Sequence, residues 1–85
     1  MIALDHIGVP AQNAAASASF LSEILGLAPA TPDGPEGEMR CLPIGQSGRL
    51  LFCPVESVTP QHIAFRVDPP TFSELVNRLR RRGVA

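Results

Sequence analysis

The tripeptide His6-Ile7-Gly8 returns as His62-Ile63-Ala64, from position 6 to position 62, an offset of 56 residues. Each copy is followed by Val-Pro or Val-Asp-Pro, then a helix-forming stretch containing Phe. Each then closes on Gly-apolar-Ala, at Gly26-Leu27-Ala28 and at Gly83-Val84-Ala85. From His to Gly the two copies run 20 and 21 residues (6 to 26, 62 to 83). Self-similarity of this kind marks a duplicated supersecondary unit. The first unit has room for a strand, a helix and about three more strands, whereas the second holds only a strand and a helix before Ala85. An amphipathic unit that cannot cover its own apolar face needs another surface. The expectation is a homodimer, with or without exchanged elements, or a chain shortened relative to a longer protein.

Size allows one domain and no more. A chain of 85 residues hides only about 60–65% of the surface it exposes unfolded, so its margin of stability is thin. Formal net charge is −1, which excludes nucleic-acid binding through a general basic surface. No apolar run approaches the roughly 20 residues of a membrane span. Met1-Ile2-Ala3-Leu4-Asp5 lacks the basic and apolar regions of a signal peptide, and the expected location is cytoplasmic. Cys41 and Cys53 form no C-x-x-C pair and read as reduced thiols.

The fold class this order of elements implies is α+β. Leu4–Val9 alternates as a strand, closed by Pro10. Asn13 caps a helix over 14–25 whose apolar face is Ala16, Phe20, Leu21, Ile24 and Leu25, with Gly26 in the left-handed cap. Residues 27–37, with three prolines, form a short edge strand or loop. Residues 38–44 and 49–55 form a hairpin across Gly45-Gln46-Ser47-Gly48. Gln61–Val67 is the next clear strand, stopped by Pro69-Pro70. Thr71-Phe72-Ser73-Glu74 is then a capping box opening a second helix, with Phe72, Leu75, Val76 and Leu79 as its apolar stripe. Arg78, Arg80, Arg81 and Arg82 read as its solvated end, and Gly83 as its cap. On this reading 1–58 is a βαβββ module and 59–85 the βα start of a second, incomplete one.

Residues two apart on a strand share a face. Leu4, His6 and Gly8 therefore lie together, as do His62, Ala64 and Arg66. The chain has two histidines, both at matching repeat positions, and an approximate two-fold between the repeats would make them converge. Two neutral imidazoles form half of a site for Fe(II), Mn(II), Ni(II) or Zn(II), which wants at least one carboxylate more. The plainer alternative is two unrelated strand histidines. Arg66 could meet an anionic substrate in the same pocket or form a surface ion pair. Cys53 has no activating neighbour and reads as a buried small residue.

Leu4-Asp5-His6-Ile7-Gly8-Val9, Ser17-Ala18-Ser19-Phe20-Leu21, Leu25-Gly26-Leu27, Gln61-His62-Ile63-Ala64-Phe65-Arg66-Val67 and the helix from Phe72 to Gly83-Val84 resemble, in order and spacing, the vicinal oxygen chelate superfamily. Its members include glyoxalase I, extradiol dioxygenases, fosfomycin-resistance transferases and bleomycin-resistance proteins. The resemblance runs from residue 2 to residue 84. It implies two βαβββ modules cupped around a divalent metal, with His6 and His62 as ligands. The third ligand of the dioxygenases, a glutamate on the last strand of the second module, would fall beyond Ala85. The carboxylate that glyoxalase I places on the last strand of module one would fall near Phe52, where Leu51 and Cys53 offer none and Glu56 is a remote substitute.

Three functions are thus expected of such a chain. It is a metal-dependent lyase, dioxygenase or thiol transferase acting on a small oxygen-chelating substrate and incomplete as a catalyst in this form. Alternatively, it is a metal-free dimer that sequesters a small molecule, as bleomycin-resistance proteins do. In the third reading it is a silent fragment kept folded by self-association. Fold alone does not choose among them.

Overall fold

Helix α1 (Ala14–Leu25) begins and ends where local chemistry places it. Asn13 stands in extended backbone and its side-chain oxygen accepts the Ala16 N–H at 2.9 Å, satisfying one of the donors a helix start leaves open. Gly26, at φ 69°, turns the chain out of the helix, and the Leu27 N–H donates back to the Ser22 carbonyl at 2.9 Å. A Cβ at Gly26 would meet that φ penalty and would also lie 2.7 Å from the Arg78 guanidinium.

The computed structural model describes residues 1–84; Ala85, the last residue of the second Gly-apolar-Ala motif, lies outside them. The chain is α+β, with two helices and one mixed sheet of four strands: β1 (Ile7–Ala11), β2 (Thr31–Asp33), β3 (Met39–Ile44) and β4 (Gly48–Pro54). Their order across the sheet is β1-β4-β3-β2. β3 and β4 form the expected antiparallel hairpin, and β2 is the short edge strand. β1 lies parallel to β4, with Ile7 opposite Leu50. This is a βαβββ-type module.

The first strand differs from the expected Leu4–Val9. It starts at Ile7 and runs through Pro10 to Ala11. An outer strand has one side without ladder partners, and there a proline's missing N–H costs nothing. Pro32 sits on the other outer strand for the same reason.

α1 lies across β3 and β4 and closes the core, where Ala14 and Ala18 meet Leu42, Leu50 and Phe52. The two alanines let the helix backbone approach the sheet closely. Phe52 keeps 3% of its surface exposed, and burial of such a side chain contributes about 1.5–3 kcal/mol. Ala16, expected on the inner face, is exposed. The buried residues of α1 are Ala14, Ala18, Ser22 and Ile24, so Ile24 of the expected stripe is buried while Phe20, Leu21 and Leu25 are half-buried at its edge.

Helix α2 (Pro69–Arg81) starts three residues earlier than a box at Thr71 would allow. Asp68 is the cap, and its Oδ1 accepts the Thr71 N–H at 2.8 Å. Pro69 and Pro70 occupy the first turn, where a proline's fixed φ suits the helix and its absent donor has no partner to lose. At the far end, Gly83 (φ 78°) is the left-handed residue and the Val84 N–H reaches the Leu79 carbonyl at 2.9 Å, as Leu27 reaches Ser22 in α1.

Gln61–Val67 forms no strand. Its alternation is suited to one, but a strand exists only where a neighbour accepts its backbone hydrogen bonds. No strand among the described residues pairs with it. Ile63 alone of this stretch packs against the core.

Candidate functional site

The parallel register of β1 and β4 decides what surrounds the first histidine. Ile7 and Leu50 are paired and both turn to the core side, so the residues just before them, His6 and Arg49, are neighbours on the opposite, open face. Asp5 joins the two. Its Oδ2 accepts from Nδ1 of His6 at 2.8 Å and from Nη2 of Arg49 at 2.5 Å. The hydrogen bond from His6, and then that from Arg49 with its positive charge, hold the Asp5 carboxyl below the usual carboxylate range. His6 itself is about half exposed, and its ring has no second hydrogen bond among the described residues.

His62 lies in the extended stretch ahead of α2 and is exposed. Among the described residues, no three or more His, Cys, Asp or Glu side chains come together as a metal site. As donor chemistry, the two imidazoles suit a borderline divalent metal, and Nε2 of His6 is unencumbered. Glu56, the remote substitute for a carboxylate ligand, joins no such group, and its backbone carbonyl accepts from the Gln12 amide at 3.1 Å. Cys53 is half-buried on the sheet and its Sγ donates to the Leu51 carbonyl at 3.4 Å, while Cys41 is buried.

Arg66 occupies a different place from either histidine. It lines an open groove of about 970 Å³ between residues 64–67 and α2, together with Phe65, Phe72 and Leu75. Neither histidine lines this groove. The walls are mostly apolar, with Phe72 50% and Phe65 39% exposed. Helix α2 has no buried residue at all, so the stripe read from the sequence is present but uncovered.

The arginines of α2 are not all solvated, contrary to expectation. Arg78 donates from Nη1 to the Ile24 carbonyl at 3.0 Å, satisfying a carbonyl at the end of α1. Arg82 pairs with Glu23 at 2.7 Å and stands over the Phe20 ring, 5.5 Å from its centre. Sequence reading missed these contacts and the Asp5–His6–Arg49 cluster because the partners are 54, 59 and 44 residues apart. The adjacency of Asp5 and His6 was the one available signal for the latter.

Among the solved structures that this chain resembles are two oxidases. Oxidase ChaP-H1 superposes with a TM-score of 0.88 at 38% identity over 98% of this chain. Oxidase ChaP-H2 does so with a TM-score of 0.86 at 34% identity over 96%. This chain spans 65% and 63% of those two chains. No family model matches it, and no curated protein does. Among the described residues no helix is long and apolar enough to cross a membrane.

Proposed function

We propose that the chain belongs to an oxygen-handling enzyme of the vicinal oxygen chelate type, with His6 and His62 as two ligands of a divalent metal. The observation that carries this is the likeness to two oxidases at 34–38% identity over nearly the whole chain. It is joined by the two histidines at equivalent places in a sequence repeat. Residues 1–58 form the first module on this reading and 59–85 the opening of a second. When bound, such a metal supplies Lewis-acid polarisation to a substrate with adjacent oxygens. Of the chain's own residues, His6 presents its imidazole beside the open face of the sheet, His62 presents its own from the extended stretch ahead of α2, and Arg66 stands apart from both in the groove.

The test is divalent-metal content per chain by elemental analysis, for the wild type and for the double variant His6→Ala, His62→Ala. Stoichiometric metal in the wild type and none in the variant supports the reading. Equal content in both, or none in either, ends it.

The apolar groove favours a second reading, a metal-free dimer that holds a small apolar ligand between chains. Light scattering then shows a dimer, and ligand affinity is unchanged by a chelator. A chelator-sensitive affinity removes this alternative.

A further inference from the structure

We propose that Asp5 is a positioning residue for His6: it holds the imidazole as the Nδ1–H form, so that Nε2 carries the lone pair, while Arg49 of β4 anchors Asp5. The inference deepens the metal reading above and rests on it for its purpose, but its chemistry stands on this chain alone.

An ionised carboxylate only accepts hydrogen bonds. The 2.8 Å contact between Oδ2 of Asp5 and Nδ1 of His6 therefore requires the proton on Nδ1. A neutral ring with its proton there has its acceptor, and its one metal-binding atom, at Nε2. Asp5 is exposed at the chain's start and would otherwise sample many rotamers. Arg49 removes that freedom, and β4 fixes Arg49 through the Ile7–Leu50 pairing. The sheet register thereby sets the tautomer of a residue outside the sheet. A carboxylate behind a histidine is how metal sites commonly orient the ring, and losing it costs about 10–100-fold in metal affinity.

The experiment is long-range proton–nitrogen NMR on the full chain, metal-free, labelled with ¹⁵N-histidine and held at a pH where both rings are neutral. The expected wild-type His6 signal is that of the Nδ1–H form. Asp5→Ala should move it toward the Nε2–H form that free imidazole side chains favour in water, and Arg49→Ala should do so in part. The His62 signal should not change in either variant, and unchanged methyl proton shifts of the core residues Leu42 and Leu50 report that the fold is intact. An Nε2–H ring at His6 in the wild type overturns the proposal, and so does a wild-type signal that Asp5→Ala leaves unmoved.

Zn²⁺ titration of the same samples separates the two levels. A 10–100-fold weaker uptake in Asp5→Ala supports the positioning role. Wild-type uptake that Asp5→Ala leaves unchanged overturns it. A wild type that shows the Nδ1–H form but takes up no Zn²⁺ removes the metal reading and leaves the tautomer assignment standing.

Discussion

Helices α1 and α2 end in the same hydrogen-bonded turn, with Leu27 reaching Ser22 in one and Val84 reaching Leu79 in the other. Yet α1 buries Ala14, Ala18, Ser22 and Ile24, while α2 buries nothing. The strands ahead of them part in the same way. Residues 7–11 are zipped to β4, but 61–67 have no ladder. Closely similar local sequence has produced one strand and helix packed into a core and one extended stretch and helix that bury no residue. Capping and turn chemistry thus act within a few residues regardless of context, whereas strand identity and burial depend on what lies alongside.

Replacing one large apolar residue in each unit tests that difference most directly. Leu42 is fully buried, and Leu42→Ala should cost about 2–5 kcal/mol, a large share of the margin of a small domain. Phe72→Ala, on the uncovered stripe of α2, should shift stability by no more than about 0.5 kcal/mol. Urea denaturation of both variants decides it. A Phe72→Ala cost near that of Leu42→Ala means α2 is covered in solution, by a second chain or otherwise, and the contrast between the units fails.

Smaller effects sharpen the comparison. Asn13→Ala removes the cap of α1 and should cost about 1 kcal/mol, which lowers the thermal midpoint by about 4–8 °C in a domain of this size. Arg82→Ala removes both the Glu23 ion pair and the Phe20 ring contact that tie the second unit to the first. An exposed pair and a single cation–π contact together are worth about 0.5–1 kcal/mol. Faster amide exchange should then appear in α2 and leave β3 and β4 unchanged; equal loss of protection in the sheet means the two units unfold as one.

The smallest effect is in acid. The side-chain and backbone contacts of Thr71 hold the Asp68 carboxyl below its ordinary value of 3.8. The folded group is therefore the stronger acid. Its contribution is complete above the unfolded value and is lost as pH falls through the lower folded one. Asp68→Asn keeps an acceptor at the cap and should flatten this part of the acid limb of a stability–pH curve. An unchanged acid limb indicates that Asp68 does not cap α2 in solution.

Much of the molecule was legible from short windows of sequence. Asn13 and Gly26 bound α1 to the residue, and Gly45-Gln46-Ser47-Gly48 marks the β3–β4 turn, because a cap or a tight turn is settled by atoms within about four residues. Pro10 and Gln61–Val67 misled for a common reason: whether a proline is tolerated, or an alternating stretch becomes a strand, is decided by neighbours that lie dozens of residues away, as β4 does from β1. The candidate site divides along the same line. Sequence alone singled out His6 and His62 through the repeat, and Asp5 stood beside the first of them. Only the parallel pairing of β1 with β4 brought Arg49 to Asp5, and only the packing of α2 against the end of α1 turned Arg78 and Arg82 from solvated charges into ties between helices. Backbone hydrogen bonding across the sheet is non-local, so the alternation of a single strand cannot say which strand will lie beside it.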